Sequence, residues 1–192
     1  PAPDDVGFIA SLLDTLITDY TIDESKIFVL GYSSGGLMTM KLRCVLADRL
    51  AGIISYAAPM TFQIANDCLS SPPVSAMTIH GTSDEIFPFS GQASISNDTL
   101  SGTFSADQTI GFLASLNGCD AQAQVQDISI ENARNRVFLT RYPCDNHIAE
   151  LYIITSLGHF GWAGQLPMNR EDETITLNQA IFDFINRVGA SS

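Results

Sequence analysis

The chain has 192 residues, of which 45% are hydrophobic and 16% charged. This suits one globular domain with its own core and excludes an intrinsically disordered chain. A formal net charge of −12 leaves no basic patch to displace counterions from a phosphate backbone, which excludes nucleic acid as a partner and disfavours anionic membranes.

No run of eighteen apolar residues is present to span a bilayer. No signal peptide is present, and Pro1-Ala-Pro3 lacks a Met, as a trimmed product would. Taken in order, the chain opens with Asp4 or Asp5 placed as a helix N-cap. Val6, Phe8, Ile9, Leu12, Leu13, Leu16 and Ile17 follow at helical spacing, to an end near Asp19-Tyr20. Thr21 to Ser25 is polar loop.

Ile27-Phe-Val-Leu30 then reads as a short strand, apolar on both faces and so expected in mid-sheet. A turn follows, Gly31-Tyr32-Ser33-Ser34-Gly35, and a helix from about Ser34. Gly31, Ser33 and Gly35 fit G-x-S-x-G, a pattern that chance also produces in Gly/Ser-rich loops. Between a strand and a helix it is the signature of a nucleophile elbow. The turn holds the serine in a strained conformation with its hydroxyl beyond the sheet, and crowding there predicts that both flanking glycines must lack side chains. The Ser34 N–H, at the helix N-terminus, is placed to stabilise an oxyanion. On the helix, the face with Leu37, Met40, Cys44 and Ala47 is expected to pack on the sheet.

Ala51 to Ala57 is a second buried strand, stopped by Pro59. A loop with Cys68 and Pro72-Pro73 leads to a third strand, Val74 to His80, ended by Gly81. The alternation specifies an α/β fold with a mostly parallel sheet flanked by helices. Phe89 to Thr103 is Ser/Gly/Asn-rich and reads as loop, and Ser105 caps a helix over Ala106 to Leu116. Val137–Tyr142 and Ala149–Thr155 are strands joined by Pro143-Cys-Asp-Asn146, an antiparallel pair expected at the sheet edge. The polar Arg170-Glu-Asp-Glu173 leads to a last helix, Thr176 to Val188. With no repeat and no linker, residues 1–192 read as one domain.

Cys44, Cys68, Cys119 and Cys144 form no C-x-x-C pair and no histidine lies at ligand spacing, which argues against zinc; no cofactor is expected. Four cysteines allow three pairings. Order along the chain favours Cys44–Cys68 and Cys119–Cys144, which implies an oxidising compartment; four buried free thiols are the alternative.

A serine needs a base. His80 closes a strand and reads as structural, and His147 lies in a polar turn. His159 follows Gly158 just past a strand end, where functional groups of parallel α/β sheets collect, and is the candidate base. Asp84, four residues past His80, is the candidate acid that orients it, with Glu85 the neighbouring alternative. The order Ser33, Asp84, His159 is that of the α/β-hydrolases.

These residues resemble the esterase family of polyhydroxybutyrate depolymerases and feruloyl or acetylxylan esterases. The resemblance rests on Asp5-Val-Gly-Phe-Ile9, Gly31-Tyr-Ser-Ser-Gly-Gly36, His80-Gly-Thr-Ser-Asp-Glu-Ile-Phe-Pro88, Asn117-Gly-Cys119 and Gly158-His-Phe-Gly-Trp-Ala-Gly164. It implies an α/β-hydrolase fold, nucleophile Ser33, acid Asp84, base His159, and a secreted or periplasmic, disulfide-bonded protein. Tyr32 and Trp162 become candidate substrate contacts, and Tyr32, Phe87, Phe89, Phe160 and Trp162 candidates to line an apolar pocket. Two departures stand out. The histidine block of the family reads Gly-His-Thr-Trp-Pro-Gly; here Phe160-Gly161 precedes Trp162, and Ala163 replaces the proline. Relatives also carry strands, and a loop with a second oxyanion N–H, ahead of the helix at Asp4. The fold expected here is truncated on that side, with an open edge at Ile27–Leu30 that a homodimer would cover.

The expected function is hydrolysis of small or polymeric carboxylic esters through an acyl-enzyme on Ser33. A non-catalytic, hydrolase-like binding or assembly protein with a vestigial triad is the alternative reading, and an acyltransferase a third.

Overall fold

The computed structural model describes residues 3–96, 99–161, 164–170 and 173–189. Helix α1 (Asp5–Asp19) starts where Asp4 Oδ1 accepts the Gly7 N–H at 2.9 Å. Strand β1 (Phe28–Tyr32) runs through the Ser33 turn into α2 (Ser34–Val45). Strand β2 (Gly52–Tyr56), helix α3 (Phe62–Cys68) and strand β3 (Ser75–Gly81) follow. Strands β4 (Gln92–Ser96) and β5 (Thr99–Thr103) pair antiparallel, and α4 (Ala106–Leu116) begins at a capping box of Ser105 and Gln108. The rest is β6 (Gln124–Asp127), β7 (Val137–Tyr142), β8 (Ala149–Ile154), the β9 (Pro167–Arg170) and β10 (Glu173–Thr176) hairpin, and α5 (Leu177–Gly189).

The main sheet has the order β1-β2-β3-β8-β7-β6, with β1, β2, β3 and β8 parallel and β7 antiparallel to both of its neighbours, β8 and β6. Core residues cluster on both of its faces, with a further cluster of Ala106, Ile110, Ala114, Ala149 and Leu151 between α4 and β8. Met40, Leu42, Ile53, Met60, Val74, Ala76 and Leu113 join α2, α3 and α4 to one face. Ile54, Tyr56, Met77, Ile79, Tyr152, Leu177, Ile181 and Phe184 join α5 and the β9–β10 hairpin to the other. The parallel registers align Tyr32 with Tyr56 and bring the carboxyl ends of β1, β2, β3 and β8 to one rim. The loops that follow those ends therefore meet there.

β1 is an edge strand among the described residues, with β2 as its sole sheet neighbour, which is the open edge expected at Ile27–Leu30. Other expectations change. The antiparallel pair β7–β8 is not the outermost pair, because β6 adds beyond β7. The stretch Phe89 to Thr103 contains a hairpin, and the loop around Cys68 contains a helix capped by Thr61, whose Oγ1 accepts the Ile64 N–H at 3.1 Å. On α2 the sheet-facing set includes Thr39 and Arg43 as well as Met40 and Cys44, while Leu37 is only half-buried.

Arg43 is fully buried without a carboxylate partner. It donates to Ser71 Oγ and to Asn117 Oδ1, the latter at 3.3 Å, and burial pulls its guanidinium down to about 10. Asn117 also pins Val74, accepting its N–H and donating to its carbonyl, each at 2.9 Å. The cysteines pair as Cys44–Cys68, tying α2 to α3, and as Cys119–Cys144, tying the end of α4 to the loop after β7. No described helix is long and apolar enough to cross a membrane.

Candidate active site

The elbow is built by one unusual backbone. Ser33 has φ 54° and ψ −120°, outside the ordinary L-residue wells, and its N–H donates to the Tyr56 carbonyl at 2.9 Å. That strain turns the chain from β1 into α2 and leaves the Ser33 side chain without a capping bond to the helix. The glycines around it are unequal. A β-carbon at Gly31 would overlap the Gly35 carbonyl, and one at Gly36 would lie 2.6 Å from Ala58 Cβ. Gly35 has nothing within 4 Å, so the expectation that it must be side-chain-free is corrected: the crowding falls on Gly31 and Gly36. Ser34 opens α2, where first-turn N–H groups have no acceptor within the helix; its N–H is therefore available to an incoming anion.

Ser33, Asp84 and His159, read from three separate blocks, converge. Ser33 Oγ lies 2.7 Å from His159 Nε2. His159 Nδ1 lies 3.0 Å and 2.9 Å from the two Asp84 oxygens. An ionised carboxylate only accepts, so Nδ1 carries the proton and Nε2 is left to accept from the serine hydroxyl. The His159 and Asp84 side chains are 3% and 1% exposed, which strengthens their interaction by excluding water.

Asp84 is held from behind. Its Oδ1 accepts the N–H groups of Ile86 at 2.9 Å and Phe87 at 2.7 Å. His80 Nε2 donates to the Phe87 carbonyl at 2.8 Å and sits 3.5 Å from Asp84 Oδ2. Burial lowers the His80 pKa, against the opposing effects of the Phe87 carbonyl and Asp84, so the ring is kept neutral. Glu85, the alternative acid, has another contact: its Oε2 accepts the His159 backbone N–H at 3.0 Å. This role had no sequence signal beyond adjacency to Asp84.

Tyr32, read as a substrate contact, donates its hydroxyl to the His159 carbonyl at 2.5 Å, and its ring centroid lies 5.5 Å from the imidazole. Phe87 and Phe160 lie 5.7 Å and 5.2 Å from that imidazole, with Phe160 78% exposed. Phe89 packs instead on His80, at 5.9 Å. Trp162 lies outside the described residues. A cavity of about 530 Å³ beside α5 is lined by none of Ser33, Asp84 and His159. In it the buried Glu150 is paired by Arg141 Nε at 2.9 Å and by Arg187 at 2.7 and 2.9 Å, near the amino end of β8 and far along that strand from His159. No group of three or more potential metal ligands occurs among the described residues.

Over 117 residues the chain is 28% identical to feruloyl esterase C of Emericella nidulans, covering 60% of this chain and 42% of that protein. Over 56 residues it is 43% identical to the poly(3-hydroxybutyrate) depolymerase of Ralstonia pickettii, covering 28% of this chain and 12% of that protein. The structure of an acetyl xylan esterase from Aspergillus awamori superposes with a TM-score of 0.58 at 15% identity, covering 94% of this chain and 66% of that one, a likeness of fold. The chain spans about half the length, or less, of the curated relatives it matches. Residues 4–110, which contain the elbow, β2, β3 and Asp84, match the phospholipase/carboxylesterase family model; the chain belongs to this family of α/β-hydrolases.

Proposed function

We propose that the protein is a serine esterase in which Ser33 attacks a carboxylic ester. The observation that carries the reading is the relay of contacts from Ser33 Oγ through the His159 ring to a buried, anchored Asp84. His159 Nε2 takes the serine proton as Oγ bonds to the ester carbonyl carbon. The Ser34 N–H stabilises the oxygen that becomes negative, and Asp84 stabilises the imidazolium. Collapse breaks the bond to the alcohol oxygen, which leaves with the proton from Nε2. Water, activated by the same nitrogen, then hydrolyses the acyl-serine and restores Ser33.

Esterase relatives support carboxylic esters as the substrate class. Feruloyl, acetyl or polyhydroxyalkanoate-type esters are the first to try. The open aromatic collar of Tyr32, Phe87 and Phe160 supports an acyl group that meets the site at its surface. Two disulfides are consistent with an extracellular location.

A fluorophosphonate probe followed by peptide mass spectrometry tests the reading. Labelling at Ser33, with ester hydrolysis lost by at least about a thousandfold in Ser33→Ala, is expected. An unlabelled wild-type protein, or hydrolysis unchanged in Ser33→Ala, would overturn it in favour of a binding protein.

A further inference from the structure

The histidine loop, Gly158 to Gly161, follows β8 and lies outside the described strands and helices. Its backbone groups nevertheless need hydrogen bonds, and their partners are unusual. The His159 carbonyl accepts from Tyr32 Oη at 2.5 Å, and the Gly161 carbonyl from Tyr56 Oη at 2.6 Å. The His159 N–H donates to Glu85 Oε2 at 3.0 Å. Both peptide groups flanking the His159 α-carbon are therefore fixed by side chains from outside the loop.

We infer that Tyr32 and Tyr56 are positioning residues that clamp this loop and hold the His159 imidazole where it bridges Ser33 and Asp84. This rests on the reading of Ser33 as the nucleophile. The two tyrosines are register partners in the β1–β2 ladder, with ring centroids 5.5 Å apart, so they project from the same face as a rigid pair. Their strands precede β3 and β8 in the sheet, so the two hydroxyls reach across the rim to a loop from β8. Burial, with Asp84 and Glu85 nearby, pushes the Tyr32 phenol up, which keeps it a donor wherever the enzyme would work. A bond between a hydroxyl and a carbonyl next to the base does not alter the base's chemistry. It removes the loop motion that would swing Nε2 out of reach of Oγ.

Tyr32→Phe and Tyr56→Phe remove only the hydroxyls. Two readouts apply. Long-range proton–nitrogen NMR of the imidazoles is expected to show His159 in the wild type as one sharp tautomer, protonated at Nδ1. In Tyr32→Phe and in the double variant its signals should broaden or split. In steady-state kinetics kcat should fall about tenfold per hydroxyl, with KM within about twofold of wild type. His159 signals in Tyr32→Phe that superimpose on the wild type would overturn the clamp, and the half-exposed Tyr32 makes that variant decisive even if Tyr56→Phe does not fold. A wild-type protein that fluorophosphonate fails to label would sink the reading of Ser33, while the imidazole spectra would still decide the clamp.

Discussion

The two sides of Ser33 are built differently. Toward β2, β3 and β8 every polar group of the relay is partnered: Asp84 by two backbone N–H groups, His159 by Asp84, Glu85 and Tyr32. Elsewhere the surface is open: Leu30 of the edge strand β1 is 50% exposed, and Phe8, Leu12 and Leu16 of α1, with its C-cap Tyr20, form an i, i+4 row exposed by 38 to 67%. In the first turn of α2 Gly35 faces open space. The contrast teaches that the geometry of this site is fixed from one side. The elbow is gripped through Gly31, Gly36 and the strands behind it, and the outer surface contributes little to that grip.

The sharpest way to break the comparison is to put a methyl group on each side of the elbow. Gly31→Ala forces a β-carbon into the Gly35 carbonyl and should cost about 3 kcal/mol in urea unfolding. Gly35→Ala places the same methyl in open space on an exposed helical turn, and should leave stability unchanged or raise it by up to about 1 kcal/mol. Equal costs at the two positions would show that the outer side grips the elbow as well.

A smaller effect comes from pH, on the packed side. Burial lowers the His80 pKa below the ordinary 6.5. Between that depressed value and 6.5 the unfolded chain binds a proton that the native ring does not, so the native state loses stability as pH falls through this window. The contribution is fully present above 6.5. His147 shifts in the same direction, by burial and then by Arg43. Denaturant titrations from pH 8 to pH 5 should show stability declining below 6.5 at no more than about 1.4 kcal/mol per pH unit per histidine. In His80→Gln the slope should be shallower; an unchanged slope would remove His80 from the account. The smallest effect belongs to the open face: Leu12→Gln should change stability by no more than about 0.5 kcal/mol, since its side chain is half in water already. A loss of several kcal/mol would mean that the face is covered in solution.

The sequence was most readable where one local rule decides. Asp4 caps α1 and Ser105 caps α4 as read, because a cap is a contact within four residues. Ser33, Asp84 and His159 were each visible as polar residues just past apolar strands, and the parallel sheet brings such positions together without further help. The β4–β5 hairpin was hidden by Ser, Gly and Gln, whose propensities favour loop; the bridge from Thr61 to Thr103 and packing over α3 make it a strand pair. Arg43 was unreadable for a different reason. Its burial depends on Ser71 and Asn117, which are distant in sequence and matter only once α3 and α4 are in place. Tyr32 was singled out as a candidate substrate contact; its bond to the His159 carbonyl was not readable, because that partner lies 127 residues away.

The pairing of Tyr32 with Tyr56 has a last consequence. β1 is held by one ladder, so its alignment with β2 is decided by five matched positions. A slip of one residue would leave a compact chain with both disulfides intact but would turn every side chain of β1 to the opposite face. Tyr32 would then point away from the histidine loop, and the Ser33 N–H would lose its bond to the Tyr56 carbonyl. Under the proposed esterase function, hydrolytic rate would report on strand alignment, and refolded material that is compact, oxidised and inert should be suspected first of a misthreaded edge.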